Sequence, residues 1–254
     1  MRRPRVLHAL AVLGLLALLF GGQWLWRNRP WRMAIAVNGR TLSAGELDMR
    51  TRTLLDDARR VDHVKPSPDG EEALLRTYRR QAAQKWIVKE VLLSEALVRG
   101  YELAPEDTKA ALAQVAARLR GRNLTPDEFF REGPLPEAVK RRDFSEGVLI
   151  NKFVAKEVRD VIVVPPEDVD ARMAKICQEA LLAAKPGEKA RKPPSRRRVG
   201  DMLRAERFRR GCRQLIRGLF AKAEVKCPEF PELETLDGIS PSRPEDKEKM
   251  QELK

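Results

Sequence analysis

Residues suited to acid–base or metal chemistry are few in this sequence. Its 254 residues include two histidines, His8 and His63, and the first lies inside an apolar run. Two separated imidazoles cannot supply the usual ligand set of a zinc site or the proton relay of a catalytic triad. The 37 Asp and Glu residues follow the spacing of helix surfaces, and no pair stands out as an acid and base couple. The sequence therefore predicts no catalytic residue, no metal site and no cofactor.

Three cysteines, Cys177, Cys212 and Cys227, are the remaining candidates for redox or metal chemistry. They lack C-x-x-C spacing, which argues against a zinc knuckle or a thioredoxin-like centre, and the odd count argues against a disulfide scaffold. An oxidising compartment would permit one bridge, either Cys212 with Cys227 or Cys177 with Cys212. Buried free thiols are the third possibility, and the spacing does not decide among them.

The formal charge of +13 is concentrated in two segments. Residues 1–32 contribute +6 and residues 185–210 contribute +8, so the rest of the chain sums to about −1. This distribution argues against a nucleic-acid-binding surface over the whole molecule. Arg196, Arg197 and Arg198 are candidates to contact an anionic surface. The alternative is that these like charges only keep a flexible linker at 185–199 solvated.

The N-terminal segment is predicted to anchor the chain in a membrane. Residues 6–26 form an apolar run of 21 residues that is followed by tryptophan and arginine residues, and its length suits about 30 Å of hydrocarbon. The alternative is a cleaved signal peptide, with 34–36 as the small-x-small site. Arginine and the terminal amine before the run favour a cytoplasmic N-terminus by a small margin. We therefore expect a single-pass protein of the inner membrane with the bulk of the chain in the periplasm.

The segments after the anchor are predicted to be mainly helical. Asn38-Gly39 predicts a tight turn, Ser43 and Thr125 open capping boxes, and Gly100 ends a long helix. Predicted helices cover 44–60, 71–99, 105–120, a short stretch after Thr125, 137–159, 167–184 and 200–223. Residues 161–164 are β-branched and precede two prolines, which favours an extended backbone, and 223–227 is a strand candidate.

Four boundaries follow from these patterns. We predict a basic tail and anchor at 1–32, the first part of a helical domain at 33–184, the linker at 185–199, and a helix and strand that complete the domain at 200–228. The charged, proline-rich residues 229–254 are predicted to be a disordered tail.

Several stretches resemble the N-terminal chaperone domain of the SurA, PpiD and PrsA family of extracytoplasmic foldases. The resemblance is carried, in order, by VNGRTLS at 37–43, VKEVLLSEALVRG at 88–100, LTPDEF at 124–129, VVPPEDV at 163–169 and the closing helix and strand at 215–228. Each piece is degenerate, and together they cover roughly 34–228. The resemblance implies that residues 34–38 pair with 224–227 and so close the helical domain.

The chain departs from this family where a parvulin isomerase domain normally follows the VVPPEDV junction. Here a single predicted helix and the basic linker occupy that place, without the histidines or aromatic residues on which the parvulin fold relies. Proline isomerase activity is therefore predicted to be absent. The resemblance implies a holdase that binds unfolded or nascent exported polypeptides without covalent chemistry.

Phe129 and Phe130 are the predicted client contacts, because two adjacent aromatics on a short helix cannot easily both face inward. Packing between helices is the alternative for at least one of them. Two other functions remain open: a bitopic scaffold for an envelope complex, and a cytoplasm-facing protein that binds anionic lipid or RNA through 185–210. The sequence also leaves the oligomeric state open.

Overall fold

The computed structural model describes residues 32–61, 70–122, 124–183 and 194–239. These residues are mainly helical and contain a small three-stranded sheet, as the sequence predicted. The predicted membrane helix at 6–26 and His63 lie outside them. Within the described ranges, no helix has both the length and the hydropathy that a bilayer crossing requires.

The described residues form three strands and eight α-helices. Two strands come first, β1 (Met33–Val37) and β2 (Arg40–Ser43), and a third, β3 (Val225–Lys226), follows the last long helix. The helices are α1 (Ala44–Val61), α2 (Glu71–Val98), α3 (Pro105–Leu119), α4 (Pro126–Arg131), α5 (Glu137–Val154), α6 (Pro166–Ala183), α7 (Arg196–Phe220) and α8 (Leu236–Ile239). A π-helical segment (Ala155–Arg159) continues α5, and 3-10 turns occupy Arg120–Arg122 and Pro231–Glu234.

The chain divides into two compact units. Unit 1 consists of the described parts of 1–91, 112–143 and 223–254, and unit 2 consists of those of 92–111 and 144–222. Each unit is assembled from stretches far apart in sequence, so neither coincides with one contiguous range.

The sheet of unit 1 joins the two ends of the described chain. Its strand order is β2-β1-β3 with antiparallel pairing, and Ala36 and Val37 lie opposite Lys226 and Val225. Asn38 and Gly39 have φ of 49° and 82°, the positive values that a two-residue type I′ turn requires. The predicted pairing of 34–38 with 224–227 is confirmed.

Asn38 also fastens β3 directly. Its N–H donates to the Glu224 carbonyl at 3.0 Å, and its Oδ1 accepts from the Glu224 N–H at 2.9 Å. The core of unit 1 is mainly apolar, and alternate residues of β1, Ile35 and Val37, are fully buried in it. Its fully buried side chains include Ile35, Val37, Leu42, Leu47, Ile87 and Phe130.

The predicted helix caps are largely confirmed. Thr125 and Glu128 form a complete reciprocal capping box. Gly100, with φ of 73°, ends α2 in a Schellman motif, where Tyr101 N–H donates to the Ala96 carbonyl. At Ser43 only half of the predicted box forms: its Oγ accepts from the Glu46 N–H, while the Glu46 carboxylate accepts from Arg50 instead.

The predicted flexible linker at 185–199 is wrong at its C-terminal end. Ser195 caps α7 by accepting from the Arg198 N–H, and Val199 is fully buried. A serine cap and a buried valine therefore hold this basic stretch in the first turn of α7. Residues 184–193 lie outside the described chain.

The predicted disorder from residue 229 onward is wrong for 229–239. The 3-10 turn and α8 form here because Phe230 and Leu233 are buried in unit 1. The Cys227 N–H also donates to the Glu234 carboxylate at 2.6 Å. Two apolar anchors are thus enough to order a segment whose composition is mostly charged.

Candidate functional site

The backbone between α5 and α6 of unit 2 leaves regular helical geometry. The single helix predicted for 137–159 is α-helical only to Val154 and is π-helical over Ala155–Arg159. Ile162–Pro165 then belong to neither helix nor strand. Two successive prolines oppose helix in the residues before them, which keeps this stretch irregular until α6 begins at Pro166.

Val161 and Val163 in this stretch are 66% and 72% exposed. They border a groove of about 460 Å³ in unit 2, which we call the valine groove. Its lining consists of Glu157, Val158, Val161, Ile162, Val163, Arg207, Arg210, Gly211, Gln214 and Leu215. One wall is the π-helical segment with the valine stretch, and the other wall is α7.

Gly211 allows the two walls of the valine groove to approach closely. A Cβ atom at this position would lie 2.6 Å from Cγ1 of Val158, a side chain that is nearly fully buried. This distance is shorter than van der Waals contact, so a larger residue would push α7 away from the π-helical segment.

Arg207 fixes the valine stretch to its neighbours. Its guanidinium donates to the Val163 carbonyl and to the Asp168 carboxylate. Among the described residues, the N–H groups of Val163 and Val164 have no hydrogen-bond acceptor. The groove is thus bordered by exposed β-branched side chains and includes, at Val163, a backbone N–H without an acceptor among the described residues. Apolar side-chain contacts and main-chain hydrogen bonds are the two features by which proteins bind extended peptide segments.

The two predicted client contacts lie on α4 in unit 1 and are not equivalent. Phe130 is 2% exposed and packs edge-to-face against Phe129 with ring centroids 5.6 Å apart. The Arg141 guanidinium lies over the Phe130 ring at 4.8 Å. Phe129 is 40% exposed, so of the two rings it alone presents substantial surface to solvent.

The three arginines predicted to contact an anionic surface form the first turn of α7. All three are exposed, and Arg196 donates to the Asp170 carboxylate at 2.7 Å. Within the described part of the chain, Arg197 and Arg198 have no carboxylate at ion-pair distance. One of the three arginines predicted to contact an anionic surface is therefore already paired with a carboxylate of unit 2.

All three cysteines are free thiols in this structure. Cys227 is buried, and desolvation raises the pKa of its thiol to about 11. Burial also raises the pKa of the Cys212 thiol, an effect that Arg159 partly opposes. Neither thiol has the lowered pKa of a reactive cysteine. In the described residues, no group of three His, Cys, Asp or Glu side chains is placed to hold a metal ion.

Unit 1 contains a cluster of ion pairs that the sequence analysis missed, and we call it the unit 1 network. Arg50 binds both oxygens of Asp143 at 2.7 and 3.1 Å, and Lys89 Nζ lies 2.8 Å from the same carboxylate. The other members are Arg40, Glu46, Glu90 and Arg142.

Glu90 is the most buried member of the unit 1 network. Arg40 Nη1 lies 2.9 Å from its Oε2, near enough for an ion pair although not aligned for a hydrogen bond. Lys89 Nζ lies 3.2 Å from its Oε1. A buried carboxylate is tolerated only when opposite charges surround it, which explains the cationic partners from β2 and α2.

No family model and no curated protein matches this chain. The comparisons therefore assign no role to the valine groove or to the unit 1 network. A sequence signal for the groove existed in the four β-branched residues before Pro165-Pro166. It predicted an extended backbone, but not that α7 would form a second wall beside it.

Proposed function

We propose that this chain is a membrane-anchored extracytoplasmic holdase that binds unfolded exported polypeptides and lacks proline isomerase activity. The observation that carries the proposal is the valine groove. An exposed β-branched segment whose N–H groups have no acceptor tends to pair with other chains. Such a segment is a disadvantage to a protein that binds nothing, so its exposure favours a binding role.

The groove suits clients that are extended and apolar. Full burial of a valine side chain is worth about 1.5–3 kcal/mol, before the entropy lost on binding is subtracted. Two exposed valines and the backbone N–H of Val163 would therefore bind weakly and release readily. Because main-chain groups make part of the contact, little sequence selection is expected.

The closure of unit 1 also supports the proposal. The pairing of β1 with β3 is the feature that the resemblance to the SurA, PpiD and PrsA family implies, and it occurs in this chain. The apolar run at 6–26 supports the anchor, which would hold the binding surface beside the membrane where exported chains emerge.

The test is suppression of aggregation by the full chain held in neutral lipid nanodiscs. A chemically denatured polypeptide is diluted into the sample, and light scattering reports its aggregation. We expect the unchanged chain to lower the scattering and Val161→Ser/Val163→Ser to lose most of this effect.

The matched control is Val98→Ser/Leu182→Ser, which removes two exposed apolar side chains of unit 2 that do not line the groove. This variant should suppress aggregation as the unchanged chain does. Equal activity of both double variants, or no suppression by the unchanged chain, would refute the proposal. One stoichiometric partner that binds in place of varied denatured clients would favour the scaffold function.

A further inference from the structure

Helix α7 carries an unusual excess of positive charge. Its sequence from Arg196 to Phe220 includes nine arginines and two acidic residues, Asp201 and Glu206. Four of the arginines form ion pairs, with Asp170, Asp201, Asp168 and Glu206. For the other five, no carboxylate of the described residues lies at ion-pair distance: Arg197, Arg198, Arg209, Arg213 and Arg217.

Four of these five arginines share one side of α7. At about 100° per residue, positions 198, 209, 213 and 217 fall within an arc of about 100° and extend over about 28 Å of helix. Met202, which is 47% exposed, lies within the same arc, as does the exposed Glu206. We call Arg198, Met202, Arg209, Arg213 and Arg217 the arginine stripe, and all five residues are exposed.

The arginine stripe is partly concave. A depression of about 370 Å³ is lined by Arg172, Met202, Leu203, Ala205, Glu206, Arg209 and Arg213. Arg209 Nε donates to the Ala205 carbonyl at 3.3 Å, which holds its guanidinium near the helix. Glu206 lies 3.6 Å from Arg210, so the acidic residue in the depression has a partner outside the stripe.

We propose that the arginine stripe binds the anionic headgroups of a membrane surface. Guanidinium groups bind phosphate in a bidentate manner, and a row of them along one helix face suits a plane of such groups. The exposed Met202 among these arginines supplies an apolar side chain that can reach the acyl chains, as apolar side chains do in helices that lie in the interface.

Nucleic acid is the competing polyanion for such a row of arginines. Proteins that bind single strands add aromatic side chains on which bases stack, and the described stripe presents no exposed Phe, Tyr or Trp. The choice of lipid also rests on the proposed membrane location of the holdase. The stripe shares no residue with the valine groove, so the two sites can be tested separately.

The test uses the full chain anchored in nanodiscs of phosphatidylcholine, so that the anchor is already occupied. Vesicles of phosphatidylcholine alone, or of equal parts phosphatidylcholine and phosphatidylglycerol, are added, and co-flotation measures binding. We expect binding to the anionic vesicles only. Arg209→Gln/Arg213→Gln should weaken it about 30-fold, at about 1 kcal/mol per arginine near an anionic surface.

The control is Arg197→Gln/Arg204→Gln, which removes the same charge from α7 outside the stripe and should bind close to the unchanged chain. Equal weakening by both double variants would overturn the proposal, as would binding to neutral vesicles or preferential displacement by a single-stranded oligonucleotide. Suppression of aggregation should persist in the stripe variant. Failure of the lipid test with suppression intact would therefore leave the holdase proposal standing.

Discussion

The unit 1 network and the arginine stripe of unit 2 differ in whether their charged residues are paired. In unit 1, cationic residues from β2, α1, α2 and α5 surround the carboxylates of Glu46, Glu90 and Asp143. In unit 2, no carboxylate of the described residues lies at ion-pair distance from an arginine of the stripe. Charges that pair inside a fold hold its segments together, whereas charges left on one face are available to a partner.

The two units also differ in how they use apolar residues of extended segments. Unit 1 buries apolar side chains of its strands, including Ile35, Val37 and Leu42. Unit 2 leaves Val161 and Val163 in solvent beside the valine groove. In unit 1 the strand pairing closes the fold, and we propose that unit 2 provides the binding surface. Substitutions in each unit should separate the two roles.

The largest effect on stability is expected when the unit 1 network loses Asp143. Asp143→Ala leaves Arg50 and Lys89 without their shared carboxylate in a half-buried site, and we expect the free energy of unfolding to fall by about 3 kcal/mol. Urea unfolding measures the change. Asp170→Ala, which removes an exposed partner of Arg196, should cost less than about 1 kcal/mol. Similar losses in both variants would show that the network is no more important than a surface pair.

The pH dependence of stability should identify the same carboxylate. Burial alone would raise the pKa of Asp143, but hydrogen bonds from Arg50 and Lys89 outweigh it and lower the pKa in the folded state. The unfolded chain therefore takes up this proton first as the pH falls. The stability difference between the unchanged chain and Asp143→Asn should be full above about pH 5 and shrink as the pH falls below about 4. A difference that is constant from neutral to acid pH would contradict this assignment.

Substitutions of Asn38, in the turn between β1 and β2, should lower the free energy of unfolding by a smaller amount. Asn38→Ala loses the bond to the Glu224 N–H and places a Cβ residue without a polar side chain at positive φ, which together should cost about 2 kcal/mol. Asn38→Gly keeps the favourable backbone conformation and should cost about 1 kcal/mol. Equal losses for the two variants would mean that the turn conformation contributes nothing. Thermal or urea unfolding provides the measurement.

Two glycines of α7 should respond with opposite signs. Gly211→Ala forces a methyl group onto Val158, and we expect a net loss of about 1 kcal/mol after the gain in helix propensity. Gly218→Ala meets no atom within 4 Å and should stabilise the protein by about 1 kcal/mol. Stabilisation by both variants would show that α7 does not need close contact with the π-helical segment.

The smallest effect is expected at Phe129. Its ring is 40% exposed, so Phe129→Ser should lower the free energy of unfolding far less than loss of the buried Phe130 would. If unit 2 provides the binding surface, Phe129→Ser should also leave suppression of aggregation nearly unchanged. If this variant instead lost most of the suppression of aggregation, clients would bind at α4, as the sequence predicted.

Local signals in the sequence predicted local structure well. Thr125 with Glu128, Gly100 and Asn38-Gly39 specify caps and a turn through hydrogen bonds within a few residues. The pairing of β1 with β3 was implied only by the resemblance, because its partners are about 190 residues apart.

Features that depend on distant side chains were missed. Phe230 and Leu233 looked like part of a charged tail, since composition does not reveal that unit 1 provides a place to bury them. The valine groove requires α7 beside the valine stretch, a contact that Gly211 permits but that no local pattern predicts. The pairing of Arg196 with Asp170 likewise joins two helices and has no signature in spacing.

The most direct test of the binding role of unit 2 is site-specific photo-crosslinking of the full chain in neutral nanodiscs. A photoreactive amino acid is placed at position 163 in the valine groove or at position 98, an exposed apolar position outside it. One polypeptide is then offered in denatured and in native form. We predict adducts at position 163 with the denatured form alone and few adducts at position 98. Equal adducts at both positions, or equal capture of the native form, would contradict a groove that binds unfolded chains.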